Sequence, residues 1–122
     1  MSGEYEIRLD DKFGQLQRFD VAAEAAAVEP WFNQTLTRVN DAVVRLGVLE
    51  GDFHWHKHDE EDEFFLVLDG ELQIDVEDRE MIVLGPNQGV TIPKGVLHRT
   101  RAPKRTVVLM VEPATVVPTG DA

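Results

Sequence analysis

Alternating apolar and polar positions from about residue 40 onward predict a chain built mainly of short β-strands. The alternation is strict in residues 71–76, where we expect Leu72, Ile74 and Val76 to face a core and the residues between them to face water. Similar strand-forming runs lie at residues 43–49, 53–58, 64–68, 81–84, 90–92, 96–100 and 106–112. Many short strands separated by turn residues are typical of an antiparallel sandwich or small barrel, so we expect an all-β fold.

Turn and helix signals complete this outline. Asp69 and Gly70, between two strand-forming runs, predict a type I′ hairpin turn, and residues 51–52 predict another turn. Residues 20–28 predict a short helix, because Asp20 can cap it, alanines favour it and Pro30 ends it. No repeat or linker is visible. We therefore expect one domain, with an N-terminal segment (residues 1–39) packed on a barrel (residues 40–122).

Composition and charge exclude several functions. The chain has 122 residues and a formal net charge of −11, which argues against nucleic acid and against anionic membrane surfaces as partners. The absence of cysteine excludes disulfides, thiolate ligands and cysteine nucleophiles. The first residues lack the basic and apolar regions of a signal peptide, and no apolar run is long enough to cross a membrane. We expect a cytoplasmic protein.

Four residues of the types that bind metal ions stand out: His56, His58, Glu63 and His98. Residues two positions apart on a strand share a face, so His56 and His58 can point at one ion. Glu63 follows after a polar loop, and His98 comes after a tight turn. Imidazole nitrogen with carboxylate oxygen suits divalent iron, manganese, nickel, cobalt or zinc.

The spacing of these residues resembles the first motif of the cupin superfamily, a His-x-His pair followed by a Glu and then a Gly. His56, His58, Glu63 and Gly70 match that motif. The resemblance covers roughly residues 40–121 and is closest to small single-domain cupins, often labelled as related to mannose-6-phosphate isomerase. A lone histidine is usually only an exposed strand residue. Four potential ligands in register with the cupin motifs instead favour a metal site.

The second cupin motif is also present, as a Pro-x-Gly turn followed by a histidine. Pro93, Gly95 and His98 match it, while Asn87 stands where the motif begins with Gly. Asn is one of the residues that best tolerate a positive φ, so this departure is mild. The resemblance implies a double-stranded β-helix, the jelly-roll or RmlC-like barrel. It also implies that the two motif histidines of the first pair, the Glu and the later His hold one divalent metal ion, with coordination positions left open.

Open positions on such an ion leave three functions in view. One is a dioxygenase that binds oxygen and substrate, and another is an isomerase or lyase that uses the metal as a Lewis acid. The third is a protein that binds a small ligand without catalysis. The residues expected to face inward are mostly apolar: Val67, Leu72, Ile74, Val76 and Thr100. This lining favours a small apolar or aromatic ligand over a sugar phosphate.

Three further residues lie on the predicted strand 53–58. His54 shares the face of the histidine pair, so we expect it to line the pocket, as a wall residue or as a weak candidate for proton transfer. Phe53 and Trp55 are expected on the opposite face, where they need a cover. Either the N-terminal segment with Trp31 or a second subunit can supply it, and we expect a homodimer. The acidic loop 59–62 lacks calcium-loop spacing and is expected to be solvated, its charge drawing cations toward the rim.

Overall fold

A computed structural model describes residues 4–121. The elements in chain order are β1 (Glu6–Arg8), α1 (Val21–Ala26), β2 (Phe32–Val39), β3 (Ala42–Asp52), β4 (Glu63–Asp69), β5 (Leu72–Val76), β6 (Ile82–Leu84), β7 (Gly89–Ile92) and β8 (His98–Pro113). The short helix is confirmed, and the Asp20 carboxylate caps it by accepting from the Ala23 backbone N–H at 3.0 Å. Within residues 4–121, no helix has both the length and the apolar character needed to cross a membrane.

The long strand β8 organises the sheet. Hydrogen-bonded neighbours run in the order β1-β2-β3-β8-β4-β7, while β5 pairs with both β6 and β8. The first part of β8 pairs with β5, and its later part lies between β3 and β4. The expected all-β barrel is therefore confirmed. All of these pairings are antiparallel except that between β1 and β2, which is parallel, so the sheet is mixed.

The expected hairpin at Asp69 and Gly70 is wrong. β4 and β5 do not pair with each other, because each pairs with a different part of β8. The chain does turn there: Gly70 has φ +92°, and a Cβ at this position would lie 2.7 Å from the Arg105 carbonyl oxygen. Glycine is required by that close approach as well as by the backbone conformation.

Two other boundaries also differ from the expectation. Residues 53–58 form no continuous strand, since only His56 makes a β-bridge, with His98. Instead β3 continues through the expected turn at 51–52, with an irregular register between Leu49 and Gly51. The separate strands expected at 96–100 and 106–112 are one strand, β8.

The strands β1 and β2 were not predicted. β2 forms a hairpin with β3 through a turn at Asn40, so the same sheet continues across residue 40. Its sequence hides it because polar residues are buried: Asn33, Gln34 and Thr35 are each at most 4% exposed. Without an apolar–polar alternation, the period-2 signal of a half-buried strand is lost.

The core has two parts. Inside the barrel, the expected inward residues of β5 are buried together with Val67 and Phe65. A second cluster lies between α1 and the sheet, where Ala25 packs near Leu36 and Leu46. The first cluster borders the site described below, so the buried apolar residues of these strands also help to position that site.

Candidate metal centre

The four predicted ligands come together at one end of the barrel. His56 and His98 face each other in an antiparallel bridge, with reciprocal backbone N–H···O distances of 2.9 Å. Glu63 is the first residue of β4, and His98 is the first residue of β8. The Pro-x-Gly turn joins the two motifs, because the Gly95 N–H donates to the His58 carbonyl at 2.8 Å.

The geometry of these side chains fits a metal ion. One potential ligand atom from each of the four residues lies within 4.8 Å of all the others. With metal–ligand bonds of about 2.1 Å, cis ligand atoms stand about 3 Å apart and trans atoms about 4.2 Å apart. Glu63 Oε1 lies 3.4 Å from His58 Nε2 and 3.5 Å from His98 Nε2. None of these three buried atoms has a hydrogen-bond partner.

Backbone contacts orient two of the rings. His56 Nδ1 lies 2.9 Å from the His54 carbonyl, and His98 Nδ1 lies 2.9 Å from the Val96 carbonyl. A carbonyl oxygen can only accept, so both Nδ1 atoms carry hydrogen and both Nε2 atoms keep a lone pair. This is the arrangement usual for metal-ligating histidines.

Burial and charge act together on the protonation of the cluster. Burial lowers the pKa of His56 to about 4, which keeps that ring neutral. Burial also disfavours the charged form of Glu63, but contacts with His58 and His98 outweigh it and hold the pKa of Glu63 well below its usual range. For His58, the effect of burial is outweighed by Glu63, so its pKa is raised. The cluster therefore presents an ionised carboxylate among imidazoles.

A buried arginine–carboxyl pair lies next to Glu63. Arg45 Nη1 donates to Glu112 Oε2 at 2.6 Å, and both residues are 2% exposed. Arg45 also donates to Thr35 Oγ1 at 3.0 Å and to the Val116 carbonyl at 2.9 Å. Burial and the adjacent Glu63 charge raise the pKa of Glu112 to about 9, although Arg45 opposes this rise.

A narrow cavity lies beside the cluster. Its wall includes His56, Glu63, Thr100 and the aromatic residues Tyr5, Trp31 and Phe53, and it admits the centre of a water molecule to only about 20 Å³. That space suits a group the size of one water molecule. Among residues 4–121, the lining of this cavity contains neither Lys nor Arg.

The aromatic wall corrects one expectation. Phe53 does not lie on the face opposite the histidines: its ring centroid is 5.2 Å from that of His56, because the chain leaves strand geometry at Asp52. Of the two covers considered for Phe53, the N-terminal segment supplies one, since Trp31 stacks on Phe53 at 5.5 Å and Tyr5 meets both rings edge-on. Trp55 remains 44% exposed, with the Arg99 guanidinium 5.3 Å from its ring.

His54 also lies elsewhere than expected. It is exposed and does not line the cavity; its Nε2 pairs instead with the Thr119 carbonyl at 2.7 Å. The C-terminal segment 118–121 therefore runs along the histidine segment. Gly120 has φ +94°, and a Cβ there would lie 2.5 Å from the Cβ of His56.

Sequence reasoning missed several residues around the cluster. Tyr5, which immediately precedes β1, lines the cavity, and Arg45 meets Glu112 across 67 positions of the chain. No pattern of neighbouring residues in the sequence indicates either the position of Tyr5 or the contact between Arg45 and Glu112. A charged residue in the apolar run 43–49 was the one available signal for Arg45, because a charge on a buried strand needs a partner.

A jelly-roll barrel with a histidine–carboxylate cluster at one end is typical of the cupin class, and the cluster could hold a metal ion. The sequence profile described as "Cupin domain" matches residues 42–112, more than half of the chain. The chain belongs to the cupin family. Asn87 has φ +69°, as expected from its place in the second motif.

Known proteins resemble the chain at several levels. The uncharacterized protein YdbB of Bacillus subtilis (strain 168) is 51% identical over 80 residues, covering 66% of this chain and 71% of that protein. A cupin-2 domain protein of Shewanella frigidimarina NCIMB 400 superposes with a TM-score of 0.74 and 31% identity, covering 78% of this chain and 93% of that one. A Ralstonia eutropha JMP134 protein, described as a candidate mannose-6-phosphate isomerase, has a TM-score of 0.68 and 20% identity over 80% of this chain and 97% of that one. The last likeness shows the fold alone.

Proposed function

We propose that this cupin binds one divalent transition metal ion through His56, His58, Glu63 and His98, and that the site activates a small ligand. The observation that carries the proposal is the set of three buried, unpartnered ligand atoms, His58 Nε2, His98 Nε2 and Glu63 Oε1. Leaving a buried polar atom unpaired costs about 1–3 kcal/mol, and a shared cation removes that cost for all of them at once.

The protein's own groups define what can reach the site. Thr100 offers a hydroxyl to the cavity, while Tyr5, Trp31 and Phe53 exclude water with an apolar wall. The Tyr5 hydroxyl accepts from Asn33 Nδ2 at 3.3 Å, which leaves its own hydrogen free to donate to a ligand. A bound metal ion would supply Lewis acidity and open coordination positions next to these groups.

The residues that line the cavity also indicate the charge and size of the ligand that it would accept. The lining suits a small neutral group, about the size of one water molecule, better than a phosphate, since it has no cationic side chain among the described residues. Catalysis on such a ligand and simple binding both remain compatible with this chemistry. The name of the Ralstonia protein adds sugar isomerisation as an alternative. That alternative would require a cation from outside the cavity wall to hold the phosphate.

The test is metal content, measured on protein purified without chelator and without a nickel column. Wild-type chain is expected to hold or take up close to one equivalent of iron, manganese, cobalt, nickel or zinc, while His56→Gln and Glu63→Gln lose it. His54→Gln is the matched control, because His54 lies in the same segment but is exposed and outside the cluster. Equal metal content in the His54 and His56 variants would refute the proposed ligand set.

A further inference from the structure

His58 differs from the other two histidines of the cluster. His56 and His98 each donate Nδ1–H to a backbone carbonyl, but His58 Nδ1 has no partner although the side chain is only 2% exposed. Its Nε2 is directed at Glu63, 3.4 Å away. His58 Nδ1 is therefore available for a contact outside the cluster that His58 forms with His56, Glu63 and His98.

Two further carboxylates lie close to the His58 ring. A nitrogen of His58 and one oxygen each from Glu61 and Asp121 stand within 4.8 Å of one another. Both carboxylates are held in place: Glu61 Oε2 accepts from Thr115 Oγ1 at 2.7 Å, and Asp121 Oδ2 accepts from the Asp59 N–H at 2.7 Å. Glu61 Oε1 is buried without a partner. Because His58 Nδ1 and Glu61 Oε1 have no hydrogen-bond partner and the three ligand atoms lie within 4.8 Å of one another, a cation can be shared among them.

We propose that His58, Glu61 and Asp121 form an outer capture site, which binds the divalent metal ion first and exchanges it with the inner cluster. This inference rests on the proposed function, because it needs the inner cluster to bind metal. A neutral imidazole has one lone pair, so His58 serves either the outer site through Nδ1 or the inner site through Nε2. The two sites are therefore occupied in turn, and the protein holds one ion per chain.

Charge favours capture at this place. The outer site carries two carboxylates at the edge of the acidic loop 59–62, on a chain with a net charge of −11. Their field raises the local concentration of cations at the rim. The inner cluster has one carboxylate and is almost fully buried, so an ion reaches it less readily from bulk water. Imidazole with two carboxylates suits a transition metal better than calcium, which takes six to eight oxygen ligands.

Rates of metal uptake test the inference. Binding of Co²⁺ to the metal-free full-length chain is followed by stopped-flow absorption, and its release by competition with a chelator. Glu61→Gln and Asp121→Asn are expected to slow uptake about tenfold, the effect of removing one charge near a divalent ion. Release should slow by the same factor, so the dissociation constant stays unchanged.

Glu60→Gln is the matched control, since it removes the same charge from the neighbouring position but does not belong to the outer site. It is expected to slow uptake no more than about twofold, because exposed charges are screened by salt. Circular dichroism confirms that each variant is folded.

Three results would overturn the capture site while leaving the proposed function intact. These are equal uptake rates for the Glu60 and Glu61 variants, a weaker dissociation constant with an unchanged uptake rate, and two tightly bound ions per wild-type chain. The second result would show that Glu61 only orients the His58 ring. If the wild-type chain takes up no Co²⁺ at all, both the proposed function and the capture site are refuted.

Discussion

Replacing Arg45 with Met tests how the buried charges behind the cluster contribute to stability. Arg45 is 2% exposed and donates to Glu112, Thr35 and two carbonyls of the segment after β8, Ala114 and Val116. Methionine fills similar space but donates nothing. Glu112, Thr35 and the two carbonyls would then lose this buried donor. Each buried acceptor left unpaired costs about 1–3 kcal/mol, so we expect a loss of about 3–5 kcal/mol for the group.

Urea unfolding of the metal-free protein measures this loss. Arg45→Met should lower the free energy of unfolding by about 3–5 kcal/mol at an unchanged m value, because several buried acceptors lose their donor. The matched control is Arg38→Met on β2, whose ion pair with Asp11 is 45% and 34% exposed. An exposed pair contributes only about 0.2–1 kcal/mol. A loss at Arg45 no larger than the loss at Arg38 would refute the reasoning.

A double-mutant cycle separates the pair from the rest of the network. Glu112→Gln keeps the shape of the side chain but cannot be ionised. In the Arg45→Met background it should cost less than in the wild type, with a coupling energy of about 1–3 kcal/mol. Additive losses would mean that Arg45 acts mainly through Thr35 and the carbonyls.

Two more predictions concern the same region. The pKa of Glu112 is raised in the folded state from 4.5 to about 9, so its stabilisation is fully present below pH 4.5 and is lost as pH rises through about 9. Unfolding at pH 6.5–9 should therefore show stability falling by up to about 1.4 kcal/mol per pH unit, and a flatter profile for Glu112→Gln. Gly120→Ala should displace the His56 side chain, because a Cβ at position 120 would overlap it. With one ligand displaced, Co²⁺ binding measured by calorimetric titration should weaken about tenfold or more. Gly51→Ala, with a similar positive φ but nothing within 4 Å, should leave metal affinity unchanged, and equal losses in both variants would contradict this.

Local patterns account for the parts of the fold that the sequence predicted. β5 alternates strictly because one face packs inside the barrel, and that alternation is visible without any tertiary information. β2 stayed hidden because its buried polar side chains satisfy one another and the backbone only after folding, as Gln34 does through the Asp10 carbonyl at 2.8 Å. The hairpin predicted at Gly70 failed because β8 pairs with β4 and β5 in succession, which no local turn signal reports.

The candidate site could be predicted for a different reason. The ligand types and their spacing follow the cupin motifs, so the amino-acid sequence alone is enough to select His56, His58, Glu63 and His98. The residues around these ligands could not be predicted from a motif. Tyr5, Arg45 and Asp121 come close to the cluster only because of the order of the strands in the sheet and the path of the terminal segments. Even His54 was misplaced, because its prediction depended on strand geometry that ends at Asp52.

The distribution of unpaired polar atoms supports the proposed metal site. Within residues 4–121, eight buried side-chain atoms lack a hydrogen-bond partner, and six of them belong to His58, Glu61, Glu63, His98 and Glu112. Packing selected for stability alone would pair such atoms or replace them with apolar groups, because each costs about 1–3 kcal/mol. Their concentration around one point means that the protein holds these side chains apart against that cost. The proposed metal ion would satisfy several of them together, and it would stabilise the folded chain more the more tightly it binds. A rise in melting temperature on metal addition, absent in Glu63→Gln, is the direct consequence.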